Sequence, residues 1–154
     1  VDNNGKYQGI WKPSSEWIFH LDILKNRKEF NVVVHNHPAY GSGMSILRKD
    51  IKPYHYMIGF MGGDTIKCST FAPPGTKELS KAALKALTDR KACLLANHGT
   101  ISCGKDLEEA MFLTEEFEIL CKQITIARIN GKPKLVENKY MKLIVEAIKS
   151  YGKY

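Results

Sequence analysis

Three of the five histidines in this 154-residue chain stand at the ends of short apolar runs. His35 and His37 close the run Asn31–Asn36 (NVVVHN) and the residue after it, and His98 follows Ala92–Asn97 (ACLLAN). In a β-strand, residues two apart point to the same face, roughly 6.5–7 Å apart along the backbone. His35 and His37 can therefore converge on one ion while Asn36 turns away, and Gly99 lets the backbone turn after His98. If the two strands lie close in one sheet, three imidazoles meet. Three neutral nitrogens leave a coordination position open for substrate, which distinguishes a catalytic zinc site from a closed structural one. Spacing alone leaves a second reading open, a pair of hydrogen-bonded or surface histidines, and it does not fix the third ligand.

Glu16 is the next candidate. It stands in Pro13-Ser14-Ser15-Glu16, a pattern that reads as a helix start. A first-turn glutamate is accounted for by the helix dipole, and Ser14 and Ser15 by capping. Free N–H groups at a helix start also bind phosphate, however, and hydroxyls there add donors. A glutamate beside such an anion site can act as a base. Tyr56 and Tyr151 read on pattern as packing aromatics, and His20 and His55 as structural.

The elements that must position these residues follow from periodicity and punctuation. Val1–Pro13, with Asn3-Asn4-Gly5 at its centre, reads as a hairpin turn between short strands. Trp17, Ile18, Leu21 and Leu24 give the first helix an apolar stripe. A small helix is expected around Gly43–Arg48. Tyr54–Phe60 and Thr65–Ser69 are strand candidates parted by Gly62-Gly63. Leu79, Ala83, Leu84 and Leu87 predict a helix over Thr76–Arg90. Asp106 is placed to cap a long helix to Ile129, with Glu108 and Glu109 at the positive end of its dipole and Gly131 and Pro133 ending it. A last helix is expected over Asn138–Ser150. Strands alternating with helices make this a layered α/β domain.

Bulk properties narrow the function classes. The length fits one domain, and 44% hydrophobic content is that of a globular protein. The sequence shows no internal repeat, linker, signal-peptide pattern or membrane-length apolar run. Cys68, Cys93, Cys103 and Cys121 form no CxxC pair, a usage that suits a reducing cytoplasm. The net charge of +7 admits nucleic acid, an anionic surface or a phosphorylated substrate. The lysines are scattered and no aromatic motif interleaves them, so neither nucleic acid nor a membrane is expected as a partner.

The motifs in order carry a resemblance. Pro13-Ser14-Ser15-Glu16-Trp17, His20, Val32-Val33-Val34-His35-Asn36-His37, His55-Tyr56-Met57, Gly75-Thr76-x-Glu78-Leu79, Leu94-Leu95-Ala96-Asn97-His98-Gly99 and Ser150-Tyr151-Gly152 together resemble the class II sugar-phosphate aldolase/epimerase family. The resemblance spans essentially the whole chain. It implies a layered α/β/α domain over residues 1–154, with a central mixed, mostly antiparallel sheet. It also implies that His35, His37 and His98 hold Zn2+, with Glu16 as a fourth, displaceable ligand and as the acid/base. Ser14 and Ser15 would hold the substrate phosphate. Tyr56 and Tyr151 would assist at the aldehyde oxygen in a neighbouring subunit's site, within a homotetramer.

The implied activity is zinc-dependent retro-aldol cleavage of a ketose 1-phosphate, L-fuculose 1-phosphate in the branch whose pattern is followed most closely, to dihydroxyacetone phosphate and L-lactaldehyde. Two departures stand out. The family pattern begins with a further region carrying a phosphate loop, so an N-terminally incomplete domain, a partial phosphate site and an exposed sheet edge are expected. Pro74 also stands where an aromatic lines the aldehyde side, which leaves acceptor specificity open. Two alternatives share the fold: a pentulose-phosphate 4-epimerase, and a non-catalytic adducin-like interaction module. The epimerases place an aspartate at the position of Glu16, and the interaction modules have lost the metal ligands.

Overall fold

Four consecutive fully buried residues, Ala92–Leu95, form the strand on which the rest of the molecule is layered. A computed structural model describes residues 1–151; Gly152, the end of the Ser150–Gly152 motif, lies outside the described residues. The chain runs α1 (Trp17–Asn26), β1 (Val32–Asn36), α2 (Ala39–Ile46), a 3-10 helix (Tyr56–Met61), β2 (Lys67–Cys68), α3 (Lys77–Ala86), β3 (Ala92–Leu95), β4 (Gly99–Gly104), α4 (Leu107–Asn130) and α5 (Asn138–Ser150). The strands lie in the order β1-β4-β3-β2. Two of the pairings are antiparallel, β1 with β4 and β3 with β4, and β2 runs parallel to β3. The expected mixed, mostly antiparallel sheet is present.

Side-chain alternation along β3 divides the core in two. Cys93 and Leu95, with Ile101 and Cys103 of β4, pack against Phe19 and Ile23 of α1 and Leu79 and Ala83 of α3. Ala92 and Leu94 point the other way, onto Met44 of α2, Ile58 and Met61 of the 3-10 helix, and Leu113, Phe117 and Leu120 of α4. Helices thus cover both faces, giving the α/β/α layering. Burial pushes the thiols of Cys103 and Cys121 up to about 12 and that of Cys93 well above the ordinary value, so these three are core residues rather than nucleophiles.

Helix starts follow their caps. Thr76 Oγ1 accepts from the Leu79 N–H at 3.2 Å, and Asp106 Oδ1 accepts from the Glu109 N–H at 2.8 Å. Four expectations need correction. The Val1–Pro13 segment makes a turn but no strands: Asp2 Oδ1 accepts from the N–H groups of Asn4 and Lys6 and satisfies the backbone locally. Tyr54–Phe60 is not a strand; Tyr56–Met61 winds into the 3-10 helix, which buries Ile58 and Met61 three residues apart. The helix expected at Gly43 begins at Ala39. The helix from Thr76 ends at Ala86, and Asp89 at φ 55° turns the chain into β3. No helix among the described residues is long and apolar enough to cross a membrane.

Candidate metal centre

The C-terminal end of β1 and the N-terminal end of β4 are hydrogen-bonded neighbours, with His35 opposite Ile101 and Asn36 opposite Thr100. Directly opposed residues share a face, so His35 lies on the α1/α3 side with Ile101, and His37, two residues on, follows it. Asn36 faces the other way, and its Oδ1 accepts from the Thr100 hydroxyl. His98, between β3 and β4, completes the set. The three imidazole centroids are 4.7, 4.8 and 4.8 Å apart, a nearly equilateral triangle. His35 is held on its far side as well: its Nδ1 donates to the Thr100 carbonyl at 2.9 Å, and its ring meets Phe19 edge-on at 5.3 Å. That bond leaves Nε2 as the free donor aimed at the centre.

His98 is aimed by a turn centred on Asn97 rather than on the expected Gly99. Asn97, not Gly99, takes the left-handed conformation, at φ 53°. Ser45 of α2 braces the turn, its carbonyl accepting from the Asn97 N–H at 3.1 Å and its hydroxyl from the His98 N–H at 3.1 Å. Gly99 is required for close approach instead: a Cβ there would lie 2.4 Å from the Asn36 carbonyl oxygen and 2.7 Å from Cδ2 of His37. Gly99→Ala must therefore push β1 and His37 apart from β4. We expect a stability loss of about 1–3 kcal/mol and weaker metal uptake, read from urea midpoints and metal content. A variant matching the parent in both would show that the strands yield freely.

Glu16 stands one residue before α1, which carries it to the same face. Its Oε2 lies 2.9 Å from His35 Nε2 and its Oε1 lies 3.2 Å from His98 Nε2. These side chains are only 12%, 8% and 11% exposed for Glu16, His35 and His98. Yet Glu16 Oε1 and His35 Nε2 make no hydrogen bond, despite their burial. Close approach without a shared, aligned proton is the arrangement of lone pairs converging on a common point. Donor atoms about 2.0–2.1 Å from one tetrahedral ion lie about 3.3 Å from one another. One donor atom each from Glu16, His35, His37 and His98 falls within 4.8 Å of the others. Burial also holds the His35 and His98 imidazoles below the ordinary histidine value, favouring the neutral form that ligates a metal. The donor set fits a divalent ion, and the exposed position of His37 leaves that corner open to solvent.

Ser14 and Ser15 lie immediately before Glu16 and are exposed. Neither caps α1 as expected; the Ser14 hydroxyl accepts from the Glu16 N–H at 3.2 Å, bracing the carboxylate's own backbone. Tyr56 and Tyr151 are 51% and 75% exposed, so their ring contacts lie at the surface and neither is a core aromatic. They belong instead to the layer on the other side of the sheet from α1, where the Tyr151 ring meets Phe60 of the 3-10 helix edge-on at 5.8 Å. His20 stacks on Phe19 at 4.6 Å, and His55 Nδ1 accepts from the Met57 N–H to start the 3-10 helix. Ser45 and Thr100 went unremarked in the sequence. Their signal appears only in the fold, which sets Thr100 beside His35 across the sheet and Ser45 of α2 against the His98 turn.

Comparison with known proteins adds an independent line. A family model described as the class II aldolase and adducin N-terminal domain matches residues 1–125. The L-fuculose phosphate aldolase of Escherichia coli (strain K12) is 39% identical over 153 residues, covering 99% of this chain and 71% of that protein. The 5-methylthioribulose-1-phosphate/5-deoxyribulose-1-phosphate aldolase of Rhodospirillum rubrum is 40% identical over 152 residues, covering 99% and 69%. A solved L-fuculose 1-phosphate aldolase superposes with a TM-score of 0.91 at 35% identity, covering 97% of this chain and 70% of that one.

Proposed function

This chain belongs to the class II aldolase and adducin N-terminal domain family and is a class II aldolase, a carbon–carbon lyase; on that premise we propose that it cleaves a ketose 1-phosphate by a zinc-dependent retro-aldol reaction. The observation that carries the reading is the convergence of Glu16, His35, His37 and His98 on one point. In this reading the three histidines are the permanent zinc ligands and Glu16 the displaceable one. Ser14 and Ser15 hold the phosphate, and Tyr56 and Tyr151 serve a neighbouring subunit of a homotetramer. Residues 1–154 act as one domain, and the four free cysteines accord with a reducing cytoplasm.

Bound zinc supplies Lewis acidity to the electron pair released when the carbon–carbon bond breaks. Glu16, once displaced by substrate, moves a proton: its carboxyl delivers one to the carbon next to the carbonyl during cleavage and removes it during synthesis. The Ser14 and Ser15 hydroxyls, with the N–H groups opening α1, fix the phosphate and hence the distance from that carbon to Glu16. The tyrosine hydroxyls exchange a proton with the oxygen that becomes the aldehyde.

The preferred substrate in this reading is L-fuculose 1-phosphate, giving dihydroxyacetone phosphate and L-lactaldehyde. A second reading, 5-deoxyribulose or 5-methylthioribulose 1-phosphate, is favoured by the 40% identity to the Rhodospirillum rubrum aldolase, and Pro74 leaves the acceptor side open to it. Incubating zinc-loaded protein with these phosphates and with ribulose 5-phosphate, and following dihydroxyacetone phosphate with a coupled dehydrogenase, tests the proposal. Fuculose 1-phosphate is expected to give the highest kcat/KM. Epimerised product without dihydroxyacetone phosphate would make the protein an epimerase instead. A zinc-loaded chain inert toward all of them would return it to the interaction modules.

A further inference from the structure

Helix α2 starts without a cap of its own. Its N-cap residue is Pro38, which offers no side-chain acceptor, yet the helix begins only two residues after His37. The missing acceptors come from α4. Glu118 Oε1 accepts from the Tyr40 N–H at 2.9 Å, and Oε2 accepts from the Gly41 N–H at 2.8 Å. One carboxylate thus takes two of the free donors of the first turn and sets a negative charge at the positive end of the helix dipole.

The same turn rests on the back of the metal centre. A Cβ on Gly41 would lie 2.7 Å from Thr100 Cγ2, 3.0 Å from Pro38 Cγ and 3.4 Å from Glu118 Oε2, so glycine alone lets α2 sit this close. Thr100 in turn receives the His35 Nδ1 proton on its carbonyl and gives its own hydroxyl proton to Asn36. The far end of α2 carries Ser45, which braces Asn97 and His98. Each histidine is therefore linked to α2: His37 through the chain, His35 through Thr100, and His98 through Ser45.

We propose that Glu118 is a positioning residue for the metal centre, clamping the first turn of α2 and thereby fixing the directions in which the three imidazoles point. This rests on the reading of Glu16, His35, His37 and His98 as ligands. Glu118 touches no substrate in it and acts through backbone that the ligands share. Changes to groups that orient ligands weaken metal binding by about 10–100-fold.

The test uses the full chain, freed of zinc and titrated against a chromogenic chelator, as the parent, Glu118→Ala, Glu118→Gln and Thr76→Ala. Thr76→Ala is the control, because it removes a cap from α3, which carries no ligand. Glu118→Ala is expected to raise the zinc Kd by about 10–100-fold. Glu118→Gln, which keeps one carbonyl acceptor, should give a smaller rise and serves if the alanine variant does not fold. Thr76→Ala should lower the urea midpoint and leave the zinc Kd unchanged. In zinc-free protein, amide exchange at Tyr40 and Gly41 should quicken in both Glu118 variants.

Zinc affinity within about twofold of the parent in the Glu118 variants, a difference too small to matter on the scale above, would overturn the proposal. Equal weakening by Thr76→Ala would overturn it too, by tracing the effect to general loosening. A parent chain that takes up no zinc would instead sink the ligand assignment itself, and this inference with it.

Discussion

Glu16→Gln is expected to retain zinc and to lose turnover by about 10²–10⁴-fold, the usual contribution of a placed acid/base. The amide keeps the size and shape of the carboxylate beside His35 and His98, at contacts now 2.9 and 3.2 Å. It cannot carry the proton. Three imidazoles remain to hold the ion, so metal content and kcat should separate. Steady-state kcat with the coupled assay and zinc by mass spectrometry decide the matter. Unchanged kcat removes Glu16 as the base, whereas loss of zinc together with activity recasts it as a ligand that the site cannot spare.

His35→Ala should do the opposite and take metal and activity away together. His35 is the most buried of the four converging side chains, at 8% exposure, and the one whose second nitrogen is fixed, by the Thr100 carbonyl at 2.9 Å. Removing it strips the site of its most rigid donor, and zinc should fall well below one ion per chain. His55→Ala is the matched control, since His55 only caps the 3-10 helix through the Met57 N–H. It should keep its zinc. A His35 variant that retains a full complement of zinc and activity would end the three-histidine reading.

The legible parts of this protein are those governed by near neighbours in sequence. The β-branched run Val32–Val34 and the apolar run Ala92–Leu95 announced their strands, and Asp106 with its following glutamates announced the long helix. His35 and His37 could be placed on one face from strand period alone. The small helix expected around Gly43 is α2, but its start at Ala39 was not legible, because the first turn is satisfied by Glu118, 78 residues later for the Tyr40 N–H. The strand candidate Tyr54–Phe60 overlaps the 3-10 helix at Tyr56–Met61, because a short apolar segment does not fix its own period. Burial of Ile58 and Met61 on one side selects the three-residue period. Glu16 was ambiguous alone, since a carboxylate at a helix start has an ordinary electrostatic reason to be there. The ordered motifs marked it as a metal-site candidate, and the fold, by bringing α1 over the end of β1, sets its carboxylate 2.9 Å from His35 and 3.2 Å from His98.

The pairing of β1 with β4 also bears on how the molecule comes together. The His35–Thr100 bond joins residues 65 apart, so it closes a long loop and is entropically among the costlier contacts to form. Local elements such as α4 and the β3–β4 turn can assemble before it. The three imidazoles converge only once this late pairing is made, so an ion that needs all of them meets a nearly native chain or none. Its binding energy is then absent from the folding transition state. It should appear as slower unfolding rather than faster folding, and the metal would act on the lifetime of the folded protein.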